Sequence, residues 1–187
     1  MTIRNEEKTK SIYLVLSHSG TLTSKFLKIM TKNEYTHVSI SLDKDLNHMY
    51  SFARIYEHFP LPGGFVKENA ENNPVSLKTN CSIYELKVDK LTYEKINSQI
   101  NSFLKEKNIY TYNMIGLAGA YFGLPIERKT SFFCSQFIDK LLKDNGVNLT
   151  NKPSGLVKPQ DFAKSKKLVK VYEGNIYGYK KETTILI

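Results

Sequence analysis

Tryptophan is absent from this 187-residue chain, and cysteine occurs only twice, as Cys81 and Cys134. Two thiols are too few for a disulfide scaffold, and no further cysteine accompanies them at metal-ligand spacing, so a stapled extracellular fold and a zinc knuckle are both excluded. A reducing compartment is the simpler reading. Long apolar runs are lacking too. The least polar stretch, 109–124, is too short to span a bilayer comfortably and is broken by Asn113, Gly116, Gly119 and Gly123. It predicts a buried helix. The N-terminus mixes charges of both signs with no apolar segment of the secretory type, so a cytoplasmic location is expected, with peripheral contact at a membrane left open. There is no internal repeat and no low-complexity tract.

What is present is aromatic and basic. Twelve Tyr and ten Phe supply bulk for a core, and hydrophobic residues at 41% with charged residues at 24% are ordinary for a globular chain. A chain of this length hides roughly 70% of its unfolded surface on folding, so one domain over 1–187, with its core at about 11–180, suffices. Lys+Arg 27 against Asp+Glu 18 gives a net charge of +9. That excess favours anionic partners such as phospholipid head groups or acidic polymers, although a solvated basic surface is the commoner reason for such an excess. No nucleic-acid-binding module is recognisable, so no specific nucleic acid is expected.

Residues 11–17 form an apolar, branched run that reads as a buried strand, followed by a Ser19-Gly20 turn and a helix over about 21–31. Residues 37–42 and 49–54 alternate on either side of a polar turn and predict a β-hairpin. The segment 55–74, with three prolines and the pair Gly63-Gly64, predicts a surface loop of the kind that borders sites. A strand over 81–88 precedes a helix capped by Thr92, with Ile96, Ile100, Phe103 and Leu104 as its apolar stripe. Residues 159–162 suggest a short helical turn, and 168–172 with 176–179 suggest a closing hairpin around Gly174-Asn175.

The chemistry-bearing feature lies in Thr130-Ser131-Phe132-Phe133-Cys134-Ser135-Gln136-Phe137. Phe133, Phe137 and Leu141, with Ile138 and Leu142 beside them, mark the buried face of a helix that stops at Gly146, and Cys134 falls in its first turn. A helix N-terminus carries unpaired N–H groups and partial positive charge, so it favours a thiolate there and offers a donor to a developing oxyanion. The alternative is a buried structural cysteine. A partner base is needed, and His37, at the start of the strand Thr36-His37-Val38-Ser39-Ile40, is the imidazole with the most fixed setting. His18 sits in a turn and His58 in the proline-bounded loop. A third group should orient the imidazole from the strand paired with His37, and Ser51 or His48 could serve. Strand alternation forbids both from pointing inward, since their separation is odd.

The order of these segments, a histidine strand first and a cysteine at a helix start later, resembles the circularly permuted branch of the NlpC/P60 cysteine hydrolases, the YiiX/YebB-like group. Met49-Tyr50-Ser51-Phe52-Ala53-Arg54, Gly63-Gly64-Phe65 and Lys158-Pro159-Gln160-Asp161-Phe162 extend the likeness over about 12–179. The resemblance implies an α+β, permuted papain-like fold, with an antiparallel sheet or small barrel packed against helices. It implies Cys134 as nucleophile, His37 as base and Ser51 as third residue, at a position where relatives often carry Glu. His48, eleven residues after His37, is similar to the second histidine of lecithin:retinol acyltransferase-like enzymes. The implied activity is hydrolysis or transfer at an amide, ester or thioester through an acyl-enzyme, with a cell-wall-type peptide or a lipid as substrate. No cofactor or metal is expected. A member with little catalysis that binds anionic lipid or polymer surfaces is the alternative, and the sequence does not give the oligomeric state.

Overall fold

The computed structural model describes residues 9–18, 35–54, 63–68 and 79–185. The helix expected over 21–31 and His58 lie outside them. The described residues form an α+β arrangement around a six-stranded sheet in the order β4-β3-β2-β1-β5-β8, every neighbouring pair antiparallel. The strands are β1 (Thr9–Ser17), β2 (His37–Ser41), β3 (Met49–Arg54), β4 (Gly63–Glu68), β5 (Asn80–Asp89) and β8 (Leu168–Asn175). β6 (Thr111–Tyr112) and β7 (Ser131–Phe132) make a separate parallel pair. The sheet is open, with β4 and β8 at its edges, so the barrel form of the expectation is not adopted among the described residues.

β1 lies between β2 and β5, which is why its sequence is apolar on both faces. Ile12, Leu14 and Leu16 enter the main apolar cluster, and Tyr13 and Val15 enter a second, smaller one. Two helices cover the main cluster. α1 (Lys90–Lys105) buries Ile96, Ile100 and Phe103, as its stripe predicts. Its cap is Asp89 and not Thr92: the Asp89 carboxylate accepts from the Thr92 N–H at 2.9 Å and from its hydroxyl at 2.7 Å.

Three further expectations are corrected. Within 55–74, residues 63–68 are a strand, paired with β3 from Met49↔Glu68 to Arg54↔Gly63. The glycine pair there makes no turn. A Cβ on Gly64 would collide with the Tyr110 carbonyl oxygen, so the absent side chain lets the 110–111 segment lie against β4. The closing hairpin does not form either. β8 runs unbroken to Asn175, and a helix (Ile176–Ile185) follows because the Asn175 Oδ1 accepts the Gly178 N–H at 2.8 Å, a capping bond in place of a turn. That helix places Ile176 and Tyr179 in the smaller cluster, on Tyr13, Val15, Cys81 and Ile83. Finally, 109–124 is no single buried helix. It divides into a short 3-10 turn (Lys107–Ile109), β6 and the helix α2 (Met114–Tyr121), and several of its large apolar side chains face solvent.

α3 (Cys134–Asp144) is the helix that begins at the second thiol. It buries Phe137, Ile138, Leu141 and Leu142, and it ends at Asn145 with Gly146 at φ +80, the left-handed turn that only glycine takes without strain. Phe52 of β3 fixes it to the sheet. Its ring stands 5.1 Å from that of Phe137 and 5.1 Å from that of Phe132, with Phe65, Phe103 and Tyr110 completing the group. Each such buried ring contributes roughly 1.5–3 kcal/mol. The aromatic residues that replace tryptophan therefore hold the start of α3 against β2 and β3.

Candidate active site

Phe133 is the N-cap of α3 and has no side-chain acceptor to offer the first-turn N–H groups. Polar side chains instead anchor the turn from outside. Gln136 Oε1 accepts from the Phe133 N–H at 3.4 Å and from Asn113 Nδ2 at 3.2 Å, and the Ser135 hydroxyl donates to the Val157 carbonyl at 2.6 Å. Further along, the buried Asp139 carboxylate holds Lys143 at 2.7 Å, Thr150 at 2.9 Å and Ser154 at 2.8 Å, tying the following loop to the helix. These bonds leave Cys134 at the head of a fixed helix, its N–H in the position where backbone donors lack intrahelical acceptors.

Cys134 is 6% exposed and meets an imidazole, not only hydrocarbon. The Cys134 thiol lies near enough to the His37 ring to act on its protonation, raising the imidazole pKa. The ring is held from the other side by a carboxylate: His37 Nε2 lies 2.8 Å from Glu68 Oε1. A carboxylate only accepts, so Nε2 carries the proton, and Nδ1 is the nitrogen left to take one from sulfur. Ser39, two residues along β2 and so on the same face as His37, donates to Glu68 Oε2 at 2.7 Å and sits 3.2 Å from Nε2. Ser51 of β3, fully buried, donates to Glu68 Oε1.

The electrostatics follow from this packing. Burial is the largest influence on His37 and disfavours its charged form, yet the Glu68 charge, the neighbouring Cys134 thiol and the Glu68 hydrogen bond together raise its pKa well above 6.5. Burial likewise works against the Glu68 carboxylate. The imidazolium charge and hydrogen bonds from His37, Ser39 and Ser51 outweigh it and bring the carboxyl down to about 2.

Of the residues expected from sequence, Cys134 and His37 are brought together. Ser51 lies one step further out, bonded to the carboxylate that the imidazole also meets. His48 is exposed, with its Nδ1 2.7 Å from the Asn47 carbonyl. His18 stacks on Tyr35 with ring centroids 5.7 Å apart. Glu68 is the residue that sequence reasoning missed, because it falls in the stretch read as loop. No local signal marked it: Phe65-Val66-Lys67-Glu68 is two apolar residues followed by two charged ones, without the alternation of a half-buried strand. Ser51 pairs with Val66, and the glutamate two residues on reaches the position a third residue needs.

The other thiol has a different setting. Cys81 is packed among Tyr13, Val15, Ile83, Ile176 and Tyr179, and burial pushes its pKa up to about 12. Among the described residues, no helix is long and apolar enough to cross a membrane. No protein-family model matches the chain, and no curated protein matches it.

Proposed function

We propose that this chain is a cysteine hydrolase or acyltransferase of the permuted papain-like kind, with Cys134 as nucleophile, His37 as base and Glu68 as the group that orients the imidazole. The observation that carries this reading is the continuous line from the Cys134 sulfur through the His37 ring to the Glu68 carboxylate, at the head of a helix. Ser51 and Ser39 are positioning residues that hold the carboxylate.

The reaction runs in two halves. The thiol proton passes to His37 Nδ1 and sulfur attacks the carbonyl carbon of an amide, ester or thioester, forming a tetrahedral oxyanion that accepts a hydrogen bond from the Cys134 N–H. Collapse breaks the bond to the leaving group, which takes the proton from the imidazolium and departs as amine, alcohol or thiol. Water, or a second acceptor, then gives its proton to His37 and attacks the thioester. The sulfur is released as the acyl group leaves with its new partner.

Intact-mass measurement after incubation with p-nitrophenyl acyl esters tests the reading. One acyl group should be found on Cys134, and Cys134→Ser should show none. Failure to trap any acyl group, together with equal alkylation of Cys81 and Cys134 by iodoacetamide, would sink it.

A further inference from the structure

The helix α2 and the turn that follows it are apolar on the side that faces water. Met114-Ile115-Gly116-Leu117-Ala118-Gly119-Ala120-Tyr121-Phe122 contains no charged residue. Its inward side is Gly116 and Gly119, which approach Asn113 and Ile126 too closely for any side chain. Its outward side carries Ile115, 60% exposed, and Phe122, 75% exposed, with Leu124 just beyond at 57%. A helix apolar all round is normally covered by protein or by lipid.

The turn is rigid. The Gly123 N–H donates to the Ala120 carbonyl at 3.3 Å and the Leu124 N–H to the Gly119 carbonyl at 2.9 Å, with Gly123 at φ +75, a Schellman ending. α3 ends the same way, through Gly146 N–H to Lys143 at 3.0 Å and Val147 N–H to Leu142 at 2.9 Å. There, Val147 and Leu142 both join the main apolar cluster. In α2 the residue corresponding to Leu142 is Gly119, so Leu124 has no side chain to fold back on and remains exposed.

A basic rim frames this face. Leu124 and Ile126 lie against Gly119 of α2, and Arg128 and Lys129 follow Ile126 closely in the chain. Both cations are exposed, and among the described residues neither forms an ion pair. The carboxylate of Glu127 is occupied by the Gly155 N–H at 3.0 Å. The face is also coupled to the site, since Asn113, the N-cap of α2, bonds Gln136 two residues after Cys134.

We infer that α2 and its 121–124 turn dock the chain on an anionic phospholipid surface, with Phe122 and Leu124 entering the headgroup boundary, and that lipid acyl groups are the substrate class of Cys134. Apolar side chains supply the insertion and the rim supplies the attraction to negative head groups. The substrate part rests on the proposed function, whereas the docking part does not.

Co-sedimentation of the full chain with phosphatidylcholine vesicles, with and without phosphatidylglycerol, is the test. Binding should require phosphatidylglycerol, weaken with added salt and fall at least about tenfold in Phe122→Ser/Leu124→Ser. Arg128→Glu/Lys129→Glu provides a second variant that leaves the apolar turn untouched, and it should also weaken binding. No binding to anionic vesicles, undiminished binding in both variants, or a dimer in light scattering that Phe122→Ser/Leu124→Ser dissolves would overturn the docking. Vesicle binding without transfer of a phospholipid acyl group to Cys134, in protein that p-nitrophenyl esters do acylate, would overturn the lipid assignment alone. Absence of acylation by every donor, with binding intact, would count against the hydrolase reading and the substrate assignment with it.

Discussion

Cys134 and Cys81 are equally hidden, at 6% and 3% exposure, and their surroundings divide them. Around Cys81 are aromatic and aliphatic side chains that offer a thiolate nothing, so burial alone raises its pKa to about 12. Beside Cys134 stand the head of a helix and an imidazole backed by a carboxylate. Depth in the fold therefore does not by itself set the chemistry open to a buried thiol. The difference lies in what charge and which donors reach the sulfur.

His37→Ala should break that contrast most completely. Iodoacetamide labelling of Cys134, read by mass spectrometry at neutral pH, should slow at least about a hundredfold, while the already slow labelling of Cys81 stays where it was. If Cys134 keeps its rate, the imidazole plays no part in activating it.

Glu68→Gln should have a smaller effect, about tenfold on the same rate, and should also move the histidine. With the carboxylate charge gone, burial acts on the imidazole with less opposition, so the His37 pKa measured by NMR should fall from well above 6.5 toward or below it. The pH dependence of wild-type stability carries the matching sign. His37, raised on folding, contributes stability that is complete below 6.5 and lost as pH rises through its folded pKa. Glu68, lowered on folding to about 2, contributes stability that is complete above about 4.5 and lost as pH falls toward 2. The ion pair should thus stabilise most between those limits, and Glu68→Gln should flatten the fall in stability on either side of them. An unchanged profile would show that the pair contributes nothing to folding.

Cys81→Ala should have the least effect. Removing a small buried apolar group costs about 1 kcal/mol in denaturant unfolding, with Cys134 labelling unaltered. A change in Cys134 reactivity would mean that the two sides of the sheet are coupled.

Local pattern carried the reading furthest where contacts are close in sequence. The stripe of α1, the start and stop of α3, and the hairpin of β2 and β3 follow from periods of 3.6 and 2 and from Gly146. It carried less far at Asn175, where capping and turning draw on the same residue type, and at 63–64, where glycine suggests a turn but serves a close backbone approach. The reading of 109–124 as buried rested on apolarity alone, which cannot tell protein cover from an exposed face.

The sequence by itself determined that a thiol begins an amphipathic helix and that a histidine begins a strand, because both are written in residues a few positions apart. Only the tertiary structure decided that Glu68 completes the line to Cys134. That role depends on β4 pairing with β3 in one register, and a register between distant segments is set by the packing of the whole sheet, not by any local spacing.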